Sequence, residues 1–273
     1  MQHTFETPDP VHLFVEIGTG SLTLHTAEST ETAVTVTGQG ADDAVVEQRG
    51  DEIVVLAPRR GGGFFGGSQQ LDVHVALPHD SRVSTKLGSA DLRVVGRLGE
   101  TALKSGSGDM TLGELTGQAY VETGSGDVTV DVVGGPLHVK SGSGDVTVGV
   151  ATAPVTVSTG SGDVRVDRTS APVEARSGSG DLVVREAGTD VALSTASGDL
   201  VVGSVTSGAV TARNVSGDVR VGIPAGIPVW TDISSMTGSV RSSLQGAGEP
   251  ADGQAYVELR AKTVSGDIAL EER

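Results

Sequence analysis

The feature that most constrains this chain is a Ser-Gly-Asp triplet that recurs at a fixed interval. The aspartates fall at Asp91, Asp109, Asp127, Asp145, Asp163, Asp181 and Asp199, each 18 residues after the last; Asp218 follows after 19 and Asp267 after an insertion. A period of this length marks a stacked-repeat architecture, in which each unit buries its apolar face only against its neighbours.

The residues between the triplets say what each unit is. Apolar residues stand eight before the aspartates (Leu137, Val155, Val173, Val191), six before (Leu103, Val121, Val139, Val157), one after (Met110, Val128, Val146, Val164) and three after (Leu112, Val130, Val148, Val166). Polar residues separate them. This is period-two alternation on both flanks of the triplet, and it predicts two short strands per repeat, each apolar on one face. The predicted fold is all-β, a two-sheeted parallel β-solenoid with 18-residue coils and corners at the triplets. No segment carries a helical pattern.

The predicted structural corners are Ser107-Gly108-Asp109, Ser125-Gly126-Asp127, Ser143-Gly144-Asp145, Ser161-Gly162-Asp163, Ser179-Gly180-Asp181 and Ser197-Gly198-Asp199. Glycine precedes the aspartate at every such site except Ala90, whereas two residues earlier Ala196, Val215 and Val264 replace it. The nearer glycine is therefore expected to need a positive φ and the farther one not. Ser and Asp side chains are expected to bond nearby backbone N–H groups. Ser105, Thr123, Ser141, Thr159, Ser177, Thr195 and Asn214 are expected to point inward at the corner. A mostly basic row five before the aspartates (Lys86, Lys104, Lys140, Arg176, Arg213) is expected to offset the carboxylates.

Residues 1–80 are less regular and are expected to start and cap the stack, with 81–273 as the regular solenoid and a loop insertion near 245–254. The glycine-rich stretch 59–70 is expected to be a loop, with Phe64 and Phe65 as an interaction point. Its G-x-G-x-x-G spacing leads into "LDVHVALP", a strand pattern, where a dinucleotide site needs a helix.

The S-G-D corners, "TDISSMTGSVRSSL" followed by "VELRAKTVSGDIAL", and the Gly-rich loop before "LDVHVALP" together resemble a bacterial β-strand-repeat family of unknown function, often labelled "putative adhesin". The resemblance spans nearly the whole chain. It implies a single-stranded β-solenoid of the kind found in envelope-associated or stress-linked proteins.

The net charge of -16 disfavours nucleic acid and anionic lipid surfaces. With no cysteine, disulfides and thiolate metal sites are excluded. The six histidines share no metal-ligand spacing. Asp109, Asp127, Asp145, Asp163, Asp181 and Asp199 are the metal candidates, for Ca²⁺, but their register differs from the calcium-binding β-roll, so no metal and no cofactor is expected. The same aspartates recur coil after coil, which singles out none as an acid or base, and no catalytic residue is assigned. The expected function is a non-catalytic scaffold or adhesin-like binding module that presents sheet faces and loops to a protein or glycan partner. The alternatives are a carbohydrate-active β-solenoid enzyme, for which aromatics such as Trp230, Tyr120 and Tyr256 are scarce, and a self-assembling filament. A homo-oligomer fits either assembly. No signal-peptide pattern and no window of membrane-span length occurs, so a cytoplasmic location is expected.

Overall fold

The structure, a computed structural model, describes residues 1–58, 70–246 and 248–273. Two compact units divide the chain, residues 1–137 and 138–273. Each is a length of two-sheeted parallel β-solenoid.

In the second unit the strands pair in parallel at the repeat interval. Val146 lies beside Val164, Val164 beside Leu182 and Leu182 beside Leu200 in one sheet. Val155 lies beside Val173, and Val173 beside Val191, in the other. The in-register stacking puts like residues in columns. Val146, Val148, Val155 and Val157 are buried, with Thr147 between the first two turned outward and half-exposed. The first unit repeats the pattern with Met110 beside Val128 and Leu103 beside Val121. The single extra residue before Asp218 is absorbed in the turn between Val205 and Val210, because Ala187 pairs with Val205 at the usual spacing while Val191 pairs with Val210. Gly208 takes φ +94° there, a conformation that glycine adopts freely.

The strands after the triplets are longer than simple alternation predicts. In Val146–Ala151, Val146, Val148 and Ala151 are buried, while Gly149 and Val150 both lie toward solvent. The ladder skips this position: Val148 pairs with Val166, then Val150 with Arg168. This bend turns further residues inward, Leu115 and Val133 in the first unit and Ala151, Ala187 and Val205 in the second.

The coils are not stacked in sequence order at one end of each unit. In the first, strands His12–Ile17 and Thr19–Ala27 lie between Arg82–Leu87 and Asp91–Val95 on one side and Glu52–Leu56 and Gln70–Pro78 on the other. Antiparallel strands then finish that end: Glu31–Gly38 on Gln70–Pro78, Gln2–Glu6 beyond it, and Val45–Arg49 on Glu52–Leu56. In the second, Val257–Thr263 and Ile268–Glu272 lie inside Val229–Ser235 and Val240–Ser242, which come earlier in the chain but occupy the outermost coil. Asp267 therefore belongs to the penultimate coil. Tucking it inside gives the C-terminal strand two pairing partners, where an edge strand has one and frays.

Candidate binding site

The triplet corners are built by three sets of hydrogen bonds. Inward Ser141 Oγ accepts from Gly144 N–H and donates to Gly144 C=O, both at 2.9 Å. Ser105 does the same for Gly108, and Thr123 and Thr159 accept from Gly126 and Gly162. The inward hydroxyls are buried as a column, Ser105 and Thr123 in one unit and Ser141, Thr159 and Thr195 in the other. Ser177 is half-buried and turns to Gly162 C=O of the preceding coil. Of the triplet serines, Ser107 bonds Ser89 Oγ of the preceding coil.

The aspartates work between coils and not within their own corner. The N–H of Asp109 donates to Asp91 Oδ1 and that of Asp127 to Asp109 Oδ1. In the second unit Asp163, Asp181, Asp199, Asp218 and Asp267 each donate their N–H to Oδ1 of the aspartate one coil before, at 2.8–2.9 Å. Ser239 ends the ladder on Asp267 Oδ1. This acceptor role, with Arg241 nearby, holds the Asp267 carboxyl below its ordinary value. Each carboxylate is thus met by a backbone donor, a charge-assisted bond.

Two expectations fail at this point. Gly108, Gly126, Gly144, Gly162 and Gly180 do not take a positive φ; only Gly198, Gly217 and Gly266 among these corner glycines do, at +146°, +129° and +151°. Glycine is needed at the regular corners for space: a Cβ on Gly162 would stand 2.1 Å from Gly144 O, since corners stack at strand spacing. Nor does the basic row reach the aspartates. Lys104 pairs with Glu122, Arg176 with Glu174, and Lys86 Nζ lies 5.6 Å from the Phe14 ring centroid. The alternation that aims both rows outward leaves the bases on the face of the strand that enters the corner, where acidic neighbours on the sheet engage them first. The arginines that do reach the ladder are Arg220, 3.2 Å from Asp218, and Arg241, 3.8 Å from Asp267.

Among the described residues no group of three or more His, Asp or Glu is arranged to hold a metal ion. Phe64 and Phe65 lie outside the described residues.

A concave surface lies elsewhere, beside the loop between Val240–Ser242 and Val257–Thr263. Trp230 is the chain's one tryptophan. It sits on the outermost strand Val229–Ser235, paired in register with Glu258, and alternation turns it outward to 54% exposure. Tyr256 enters the next strand at 49% exposure, its backbone pinned where Gly208 N–H donates to its carbonyl at 3.1 Å. Pro228, Val229, Trp230, Glu249, Pro250 and Tyr256 line a slot of about 420 Å³. On the other side of Tyr256 and Pro250 lies a groove of about 710 Å³, walled by Asp190, Ser207, Ala209, Asp252 and Gln254. The loop is held in shape by its own turn, with Gln254 N–H on Ala251 C=O and Ala251 N–H on Gln254 Oε1. Arg260 lies 5.9 Å from the Trp230 ring centroid and bonds Glu258, but it does not line the slot.

These coil columns and the interleaved C-terminal strands match one family along residues 12–271, Toastrack DUF4097. The chain belongs to this family. No curated protein matches the sequence. Solved structures similar to this Toastrack chain include a putative adhesin from Bacteroides fragilis, at 12% identity and TM-score 0.43, with 98% of this chain and 96% of that one covered. A putative lipid binding protein from Parabacteroides distasonis is similar at 12% identity and TM-score 0.47, with the same coverage. A putative cell adhesion protein from Clostridium sporogenes covers 100% of this chain and 99% of its own at 10% identity and TM-score 0.22. These likenesses are too remote to carry a function across. Among the described residues no helix is long and apolar enough to cross a membrane.

Sequence reasoning counted Trp230 and Tyr256 as scattered aromatics. Their juxtaposition depends on the outermost coil being laid down before the penultimate one, and the repeat spacing carries no sign of that order.

Proposed function

We propose that this protein is a non-catalytic binding module that recognises its partner through the Trp230–Tyr256 slot. The observation that carries this reading is that one tryptophan and one of two tyrosines, in a chain with 3% aromatics, share one concave site and stay half-exposed. Burial of either ring would stabilise the fold, so leaving both open is a cost that binding offsets. Trp, Tyr and Arg also dominate the energetics of recognition surfaces. Non-catalytic action is supported by the aspartates, which are engaged alike from coil to coil and so leave none distinguished as acid or base.

The test is to pass the full chain over glycan and peptide arrays beside a Trp230→Ala/Tyr256→Ala double variant. The expected result is retention of the wild type on a defined ligand and its loss in the double variant, with the urea midpoint of the variant unchanged. Retention that survives the double substitution moves the binding surface elsewhere, and release of a chemically altered ligand makes the protein an enzyme.

A further inference from the structure

We infer that the occupant of this site is a linear, uncharged glycan, two sugar rings seated against Trp230 and Tyr256 in the slot and the next two in the adjoining groove. The inference rests on the binding reading above and names its ligand class.

Three observations carry it. First, the slot joins flat apolar surfaces to carboxylates: Trp230, Tyr256, Pro228 and Pro250 beside Glu249 and Glu258. A pyranose has the matching chemistry. Its C–H face packs on an aromatic ring, and its hydroxyls donate to carboxylate oxygens, a charge-assisted bond. Second, the charge at the site is one-sided. Glu249 and Glu258 line the slot, and Asp190, Asp252 and Glu258 line the groove. The nearby cation, Arg260, is committed to Glu258 and lies outside both. An acidic glycan would bring like charge against this set. A cationic ligand caged by the rings is disfavoured too, because Arg260 already lies over the Trp230 ring and would repel a second cation there. Third, slot and groove share Pro250, Tyr256 and Glu258 as a common wall. Each has the volume of a small-ligand site. Two adjoining subsites divided by one tyrosine suit a chain of repeating rings better than an isolated small molecule.

Because Trp230 is the chain's one tryptophan, intrinsic fluorescence reads the slot directly. The experiment titrates the full chain with four probes: cellotetraose, cellobiose, tetragalacturonic acid at neutral pH and a proline-rich decapeptide. Cellotetraose is expected to change the emission saturably, with cellobiose at least tenfold weaker because the second subsite stays empty, and tetragalacturonate at least tenfold weaker because of its charge. Tyr256→Ala is expected to weaken cellotetraose at least tenfold, with its urea midpoint confirming the fold. Asp252→Ala, which lines the groove and not the slot, is expected to weaken cellotetraose but not cellobiose. Tighter binding of tetragalacturonate overturns the uncharged class, and equal affinity for the disaccharide overturns the two-subsite arrangement. A saturable response to the decapeptide alone overturns the glycan inference while leaving the binding module intact. No response to any probe, with no retention on the arrays, overturns both.

Discussion

Two kinds of triplet corner coexist in the second unit, and the difference shows what the glycine is for. At Gly162 the N–H donates to Thr159 within the same corner, and the backbone avoids the left-handed region. At Gly198 and Gly217 the N–H donates to the next coil instead, to Ser216 and Ser265 carbonyls at 3.0 Å, and φ is +146° and +129°. There the inward side chain no longer accepts from that N–H: Thr195 bonds Ser197 C=O, and Asn214 donates to the carbonyls of Gly217 and of Gly198 one coil before. The corner itself has joined the ladder, with Ser197, Ser216 and Ser265 bridged in parallel. The outermost coil has no next coil to accept its N–H, and Gly238 returns to the first arrangement, donating to Ser235 at 2.9 Å. Gly180 joins the second scheme, donating to Ser197 C=O at 3.0 Å, without a left-handed φ. One triplet therefore serves two hydrogen-bond schemes, and the left-handed backbone comes only at the later corners.

The largest effect expected from breaking this comparison is at the late corner. Gly217→Ala meets Gly198 O at 2.2 Å and also strains φ, whereas Gly162→Ala meets Gly144 O at 2.1 Å without a left-handed φ. Both should lower the unfolding free energy in urea, by about 4 kcal/mol and about 3 kcal/mol respectively. Equal losses would show that backbone conformation adds nothing to the clash.

A second pair of variants exchanges the outer position of the two corners. Gly160→Val places a Cβ 2.5 Å from Gly142 O and should cost about 2 kcal/mol. Val215→Gly, at a late corner where the side chain is exposed, should cost no more than about 1 kcal/mol, chiefly backbone entropy. Differential scanning calorimetry that ranks the two in reverse would show that the side chain at position 215 selects the late scheme.

The carboxylate ladder is common to both corners, so its removal should be smaller and similar in each. Asp163→Ala deprives Asp181 N–H of its acceptor at 2.8 Å and should cost about 1 kcal/mol. Asp163→Asn keeps an acceptor oxygen and should lie closer to wild type. A chemical-denaturation series that finds alanine and asparagine alike would assign the effect to charge and not to the ladder bond.

The smallest effect is a pH dependence at the end of the ladder. The folded-state pKa of Asp267 lies below its ordinary 3.8, first because Ser239 N–H donates to it. The unfolded chain therefore binds that proton more tightly than the folded one. The stabilisation is complete above about 3.8 and disappears as pH falls through the folded-state value. Acid titration of stability should show the gap between wild type and Asp267→Asn closing below pH 4; a constant gap would mean the carboxylate charge is not what the end coil uses.

The coil was legible because its signals are local and repeated. Columns such as Val146, Val164, Leu182 and Leu200 announce alternation and register together, and the fixed interval makes each aspartate a neighbour of the last. The bend after Val148 was not legible. Strict alternation puts Val150 inside and Ala151 outside, and the reverse holds, because a skipped pairing at Gly149 changes which way the following residues face. The basic row misled for a similar reason: Lys104 and Arg176 do point outward, but outward includes the whole sheet face, where Glu122 and Glu174 lie nearer.

The sequence by itself determined the repeating unit: two short strands, an aspartate corner and an aliphatic core, all set by contacts within a coil or between coils one period apart. Only the tertiary structure decided the order of the coils at one end of each unit, the choice between the two corner schemes, and the meeting of Trp230 with Tyr256. Each of these depends on which segment occupies the adjacent place in the stack. Any strand with the right alternation can pair with any other, so alternation leaves that choice open. Backbone pairing along the whole length of the outer coils settles it, tucking Ile268–Glu272 inside a strand that precedes it in the chain and carrying a tryptophan to the rim of the last one.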